Sequence, residues 1–229
     1  KNSPHRKYDG VGYNPVLDEP EVAERFYAMV AEIVGKYAAD PRIVAWDLFN
    51  EPGNGNRYEA SIPHLQRIFD VARSMNPSQP LTTGGWRSVQ NWKPIEKLAL
   101  ELSDVISYHC YGDYEANILM ISNLREFGRP LFNTEWLNRI CHNNVAEAFP
   151  LFFLEKVSCW NWGFVAGLSQ TYEPYESMWK QYEENPALPF DFSRWMHDLF
   201  RPSLHPYDPR EIEIIRKYCR IADEKRAAQ

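Results

Sequence analysis

The sequence of 229 residues lacks any long uninterrupted apolar run. No stretch approaches the ~20 consecutive apolar residues that a membrane-spanning helix requires. A basic excess is also missing: the formal net charge is −6, and no block of lysine and arginine offsets it locally. Surfaces that bind polyanions normally carry such an excess, so the composition argues against a nucleic-acid partner, and nothing in it indicates a membrane.

Cysteine is scarce. The four cysteines, Cys110, Cys141, Cys159 and Cys219, are widely spaced and form no CxxC or other metal-ligand pattern. Free buried thiols are therefore favoured over disulfides. The chain also has no phosphate-binding loop and no internal repeat that would predict a solenoid.

Aromatic residues, by contrast, are abundant, with 8 Trp, 13 Tyr and 12 Phe. A well-filled core accounts for most of them. A surplus of Trp and Tyr also suits a cleft in which flat apolar faces stack on sugar rings. Composition leaves both interpretations open, while 44% hydrophobic residues suffice for one core and predict a single domain over residues 1–229.

Amphipathic segments at helical spacing alternate with short apolar runs along the chain. Helices are predicted at 21–39, 61–75, 94–102, 115–126 and 145–157. Strands are predicted at 43–50, 81–86, 105–111, 130–136 and 160–168. A last helix begins at Asp208-Pro209, where Asp208 can cap the first turn and Glu211 completes a capping box.

Strands separated by helices, with connections too long for hairpins, predict a parallel sheet built from βα units. The predicted strands recur about every 25 to 35 residues, the length of one such unit. The segment 171–207 breaks the pattern and is expected to be a long loop after the last strand, where the rim of an active site would lie. Residues 1–20 have no strand pattern and are expected to be loop-like.

Two glutamates stand at predicted strand ends. Glu51 follows an apolar strand in Asn50-Glu51-Pro52, and Glu135 ends the strand Leu131-Phe132-Asn133-Thr134-Glu135. In a parallel barrel the C-terminal strand ends face one mouth, so both carboxyl groups are expected in the same space. Either alone could be a turn residue or an exposed carboxylate, but the pair matches what glycoside hydrolysis needs.

These motifs resemble the largest clan of retaining glycoside hydrolases, which includes family 5 cellulases and mannanases and family 2 β-glycosidases. The resemblance covers the chain from Glu21 onward and implies strands four to eight of a partial TIM-type (β/α) barrel. It implies Glu51 as acid/base and Glu135 as nucleophile, with carboxyl groups about 5–5.5 Å apart. A β-linked gluco-, manno-, galacto- or xylo-configured substrate is expected, with no metal and no cofactor.

Further binding residues follow from the same resemblance. His109 and Tyr111 lie where the clan places an aromatic residue or histidine that hydrogen-bonds the nucleophile. Asn50 lies where the clan hydrogen-bonds the sugar 2-hydroxyl. Taken alone, His109 could equally be a satisfied core histidine, and Asn50 could cap a turn.

Three tryptophans at strand ends, Trp86, Trp136 and Trp162, are candidate platforms under the sugar, and Trp162 matches the clan's strand-eight position. We expect at least one of them to stack on substrate, although each alone is more often a core residue. Gln170, just past the last predicted strand, is a candidate rim contact.

The chain departs from the clan by lacking strands one to three, and with them an arginine and polar residues that help to hold the nucleophile and sugar. Three explanations stay open: a fragment of a longer gene, a partial barrel closed by a second copy, or local covering of the open edges. Exposed parallel edges favour a homodimer. The rival function is a carbohydrate-binding or structural remnant without turnover. By analogy with polysaccharide-degrading enzymes a secreted or periplasmic location is expected, although no signal peptide is visible.

Overall fold

A computed structural model describes residues 15–228, and the expectation for residues 1–14 lies outside this range. A short 3₁₀ turn, Pro15–Asp18, precedes the regular elements. In order, these are α1 (Pro20–Tyr37), β1 (Trp46–Asn50), α2 (Ile62–Ser74), β2 (Leu81–Gly84), α3 (Pro94–Leu102), β3 (Ile106–His109), α4 (Tyr114–Arg125), β4 (Leu131–Glu135), α5 (Val145–Leu154), β5 (Ser158–Cys159), α6 (Glu176–Glu184) and α7 (Pro209–Ala227). None of the helices in the described part of the chain is both long enough and apolar enough to cross a membrane.

The chain divides into two compact units. The described part of the N-terminal unit comprises residues 15–109 and 124–132, and that of the C-terminal unit comprises 110–123 and 133–228. The expectation of a single domain over the whole chain stays a prediction.

The N-terminal unit is built on a parallel pair of strands covered by helices. In α1 the buried residues Ala23, Tyr27, Val30 and Val34 recur every three or four positions, so one face of the helix is apolar. They share one core with the inward residues of α2, of which Leu65, Ile68, Phe69 and Ala72 are fully buried. This core lies behind the strands and leaves their C-terminal ends to carry the polar side chains.

The strands of this unit are arranged so that their ends lie side by side. Trp46 pairs with Leu81 and Asp47 with Thr82 in parallel, after which a register shift intervenes before Asn50 pairs with Gly84. A parallel bridge from Gly85 to Tyr108 then joins this sheet to β3. The amide of Ile106 donates to Pro130 O at 2.9 Å, immediately before β4.

The C-terminal unit contains the end of β4, β5 and the last three helices. Burial alternates along β4, as the period of two along a strand requires, and Glu135 is on the buried face. Helix α5 packs on α7 through aromatic contacts, with ring centroids of Phe153 and Tyr218 5.1 Å apart. Helix α7 starts as predicted, since Asp208 accepts a hydrogen bond from the amide of Arg210.

Three predictions about this unit are wrong. Glu211 forms no capping box, because its carboxylate pairs with the buried Arg139. The strand predicted at 160–168 is replaced by the two-residue β5 at Ser158–Cys159, and in the later segment only Val165 makes a bridge, to Phe200. Within 160–168 only Ala166 is buried, so the apolar composition of this segment does not reflect a strand inside the core.

The third concerns the long loop predicted at 171–207, which contains helix α6. Within α6 only Met178 is buried, so its sequence carries little apolar periodicity and was not recognisable as helical. The other strands are shorter at one or both ends than predicted, whereas α3 has the predicted bounds.

Candidate active site

Glu51 follows β1 in a backbone conformation that non-glycine residues seldom adopt. Its φ is +46°, directly after the register shift that ends the pairing of β1 with β2. The amide of Glu51 donates to Gly84 O at 3.0 Å, which fixes the bend against the end of β2. Unusual backbone of this kind persists where surrounding contacts enforce it, and it is common at functional sites.

The carboxyl group of Glu51 is held on both oxygens by side chains of its own unit. His109 Nδ1 lies 2.7 Å from Oε1, and Asn54 Nδ2 donates to Oε2 at 2.5 Å. Glu51 is 7% exposed and His109 4% exposed, so water contributes little to their solvation. An imidazole at this distance can exchange a proton with the carboxyl group as its protonation state changes.

The approach of His109 to Glu51 depends on a glycine at position 84. A Cβ placed on Gly84 would lie 2.6 Å from His109 Nε2, which is closer than side chains tolerate. The amide of His109 also donates to Gly85 O at 2.6 Å. The end of β2 therefore both leaves space for the imidazole and anchors its backbone.

A second carboxyl group, that of Asp47, lies on the same side of the strands. Its oxygens accept hydrogen bonds from the amide of Gly84 at 3.2 Å and from Ser107 Oγ at 3.4 Å. Solvent reaches Asp47 from one side, but crowding by protein atoms on the others removes hydration and raises the pKa of its carboxyl group. The charge of His109 and the hydrogen bonds act in the opposite direction and do not cancel this effect.

Glu135, the last residue of β4, has a different environment. Tyr111 Oη donates to Glu135 Oε2 at 2.7 Å, and the amide of Cys110 donates to Glu135 O at 3.0 Å. The residue is 7% exposed. A hydroxyl group that donates to a carboxylate favours the ionised form of that carboxylate.

The sequence matches the family model "Cellulase (glycosyl hydrolase family 5)" over residues 4–162. The chain belongs to glycosyl hydrolase family 5. The matched region includes both strand-end glutamates, together with His109 and Tyr111.

More distant likenesses concern the fold rather than the family. A curated β-glucuronidase from Paenibacillus borealis is 23% identical over 141 residues, which are 56% of this chain and 22% of that protein. A solved β-glucuronidase of Faecalibacterium prausnitzii superposes with a TM-score of 0.53 at 14% identity, over 87% of this chain and 35% of that one. Xylanase 10B of Thermotoga maritima gives a TM-score of 0.56 at 14% identity, over 90% and 69%.

These likenesses establish the fold. The parallel strands with intervening helices form part of a TIM-type (β/α) barrel, as the sequence motifs predicted. The chain spans 22% of the curated relative and 35% of the solved β-glucuronidase, so it corresponds to only a part of those proteins.

Two of the predicted binding residues lie beside Glu51 in the family 5 chain. Asn50 is the last residue of β1 and is exposed to solvent. Trp86 is half-buried, and its Nε1 donates to Pro52 O at 3.3 Å. The guanidinium group of Arg87 lies 4.3 Å from the Trp86 ring, so a cation already contacts this candidate platform.

Trp136 is not placed as a sugar platform. It is 1% exposed, and its ring packs edge-on against Phe152 at 5.1 Å and beside Phe149 at 6.1 Å. A stacking platform needs an open ring face, whereas this ring fills the space between β4 and α5. The core interpretation of this tryptophan is the one that its burial supports.

Trp162 and Gln170 follow β5. Trp162 is half-buried, and its amide donates to Trp136 O at 3.0 Å, which continues the alignment of the two segments. Gln170 is half-buried and lies in a turn with φ +53°. Its own amide donates to Gly167 O. Their roles as platform and rim contact stay predictions.

Sequence reasoning missed two polar residues next to Glu51. Asn54 lies within the matched motif and donates directly to the carboxyl group, yet its role depends on a turn whose geometry the residue types do not specify. Asp47 lies in the strand itself, but burial along β1 does not alternate, so the strand period could not have indicated that its carboxyl group reaches the end of β2.

Proposed function

We propose that this family 5 chain is the catalytic part of a retaining β-glycoside hydrolase. Glu51 protonates the departing glycosidic oxygen while Glu135 attacks the anomeric carbon, and water guided by Glu51 then releases the sugar with retained configuration. The proposal rests on one observation above all: two buried glutamates follow parallel barrel strands and have different partners. Glu51 has an imidazole and an amide, and Glu135 has a phenolic hydroxyl.

The two environments support the assignment of roles. An acid/base must gain and lose a proton in each cycle, and His109 lies within hydrogen-bond reach of the Glu51 carboxyl group. A nucleophile must stay ionised, and the hydrogen bond that Glu135 accepts from Tyr111 Oη favours the ionised form. The expected carboxyl separation of about 5–5.5 Å belongs to this proposal.

The first experiment is hydrolysis of a panel of aryl β-glycosides, with the glucoside, mannoside, galactoside, xyloside and glucuronide included. The last two follow from the names of the xylanase and β-glucuronidase relatives. We expect Glu135→Ala to abolish turnover and the exposed Glu183→Ala in α6 to leave it unchanged. Silence across the panel together with measurable oligosaccharide binding would favour the rival function, a carbohydrate-binding remnant.

Leaving-group dependence tests the role of Glu51. Glu51→Ala should lower turnover of poorly activated glycosides by about 10²–10⁴-fold, because general acid catalysis contributes about that much. Dinitrophenyl glycosides, which need no proton, should lose far less. Equal losses on both substrates would contradict the acid role, and a first product of inverted anomeric configuration by proton NMR would contradict retention.

We also propose that a second copy of the chain covers the open side of the partial barrel. In the C-terminal unit β5 is the edge strand of its sheet, and large apolar residues near it are exposed: Trp160 by 45%, Phe164 by 65% and Leu168 by 102%. Exposed apolar side chains beside an unpaired strand edge commonly mark an interaction site. The homodimer has its own test, given below.

A further inference from the structure

Leu137, two residues after Glu135, has a strained backbone. Its φ is +79°, a region that side chains other than asparagine and aspartate rarely occupy, and the residue is completely buried. The segment from Glu135 to Leu137 therefore turns sharply as it leaves the strand. Such a conformation persists only where the surroundings enforce it.

Two buried side chains hold the polar groups of Leu137. Asn143 Oδ1 accepts a hydrogen bond from the amide of Leu137 at 2.7 Å. His197 Nδ1 lies 2.5 Å from Leu137 O. Asn143 is 1% exposed and His197 is 0% exposed. We call this pair, Asn143 and His197, the Leu137 clamp.

Asn143 also reaches the segment that carries Tyr111. Its Nδ2 donates to Gly112 O at 2.6 Å, with a longer contact of 3.4 Å to Cys110 O. One amide side chain therefore joins the backbone on both sides of Tyr111 to the turn after Glu135. These are the two segments that the Tyr111–Glu135 hydrogen bond connects.

His197 supports the same two segments from another direction. A carbonyl oxygen only accepts, so Nδ1 carries the hydrogen and Nε2 accepts from Tyr175 Oη, 3.1 Å away. The imidazole packs against the Tyr111 ring, with centroids 5.3 Å apart. A Cβ on Gly163 would lie 2.8 Å from the Cβ of His197, so this close packing requires glycine at 163.

We propose that Asn143 and His197 are positioning residues that set the Tyr111–Glu135 hydrogen bond. They do so by fixing the Leu137 turn on one side and the backbone and ring of Tyr111 on the other. The catalytic role of the Tyr111–Glu135 hydrogen bond rests on the proposed function, whereas its positioning by Asn143 and His197 is a property of the folded chain. It extends the site to the segments after β4 and after α6, which the sequence motifs do not include.

The test measures the Glu135 carboxyl group directly, without turnover. In protein labelled with ¹³C at the glutamate side-chain carboxyl, Glu135→Gln identifies the resonance of interest. Tyr111→Phe should move its titration midpoint to higher pH by about 0.5–1 unit, because an ionised carboxylate loses a donor. His197→Ala and Asn143→Ala should move it in the same direction, and His64→Ala, a histidine bonded to Tyr27 in the N-terminal unit, should not.

A conservative variant separates positioning from general damage. His197→Asn keeps an N–H that can donate to Leu137 O, so its midpoint should lie between those of wild type and His197→Ala. If His197→Ala fails to fold by circular dichroism, His197→Asn and Tyr175→Phe still test the network. An unchanged Glu135 titration in the folded clamp variants, or in Tyr111→Phe, would overturn the proposal.

Turnover distinguishes this proposal from the proposed function. If wild type hydrolyses an aryl glycoside, the clamp variants should lose kcat by roughly 10–100-fold with little change in KM, since misplacement of a reacting group affects the transition state. If wild type is silent, the proposed function fails. The carboxyl titration then still decides whether the clamp positions Glu135.

Discussion

At the scale of single residues, burial determines which reactive groups can act. Cys110 is buried, Cys141 and Cys159 are partly buried, and Cys219 is exposed on α7, all as free thiols. Loss of hydration raises the pKa of Cys110 to about 11 and that of Cys159 to about 12. A raised thiol pKa keeps the neutral, unreactive form in place until the pH approaches that value.

The expected consequence is selective labelling. At pH 8 a thiol with a pKa near 11 is ionised to about one part in a thousand, so Cys110 and Cys159 should react with iodoacetamide far more slowly than Cys219. Peptide mapping at timed intervals measures each rate, with Cys219→Ser as the control that removes the fast phase. Rapid labelling of Cys110 in folded protein would contradict its burial.

At the scale of elements, much of the fold was predictable and the exceptions have physical causes. The ends of helices with a continuous apolar face, such as α1 and α2, were predicted to within two residues. Their buried residues recur at the helical period, which the sequence shows directly. The segment 160–168 has strand-like residue types, but its backbone contacts are scattered: Trp160 and Trp162 donate to Asn133 O and Trp136 O, and Val165 makes a single bridge to Phe200. Pairing is a tertiary property, and a single sequence does not encode it locally.

The candidate site shows the same division. Glu51 and Glu135 could be predicted because they terminate strands within recognisable motifs. Trp136 was wrong as a platform, since residue type at a strand end does not reveal which way the ring turns. Asn143 and His197 act through loops whose approach to Leu137 only the folded chain defines.

The start of α7 carries the strongest element-scale prediction. Arg139 makes two hydrogen bonds to Glu211, at 2.8 and 2.6 Å, and its side chain is fully buried. Glu211→Ala should lower the free energy of unfolding by about 3–5 kcal/mol, because a buried guanidinium loses its counter-charge. Urea unfolding followed by circular dichroism measures the change.

Matched variants sharpen this experiment. Arg139→Met combined with Glu211→Leu should recover most of the loss, because no charge is then left unpaired. The solvent-exposed partner of Asp208, Arg210, provides the control, and Arg210→Ala should leave the free energy of unfolding nearly unchanged. A small effect of Glu211→Ala would show that water reaches Arg139.

At the scale of the whole molecule, a chain that corresponds to part of its relatives' barrels exposes apolar surface beside an edge strand. The proposed homodimer should give a solution mass of twice 26.9 kDa by light scattering at micromolar concentration. Phe164→Lys should return the mass to one chain, and Leu119→Lys, at a residue of α4 that is 53% exposed, should not. A wild-type mass equal to one chain would contradict the homodimer.

Gly84 contributes to the site although it has no side chain, because it leaves space for another residue. The imidazole of His109 occupies the volume that any other residue at position 84 would fill with its Cβ. The contact between Glu51 and His109 therefore depends on the absence of a side chain at position 84 as much as on the atoms that form the hydrogen bond. A comparison of family members that considered only acids, bases and donors would overlook this position, although it decides whether the imidazole and the carboxyl group can meet.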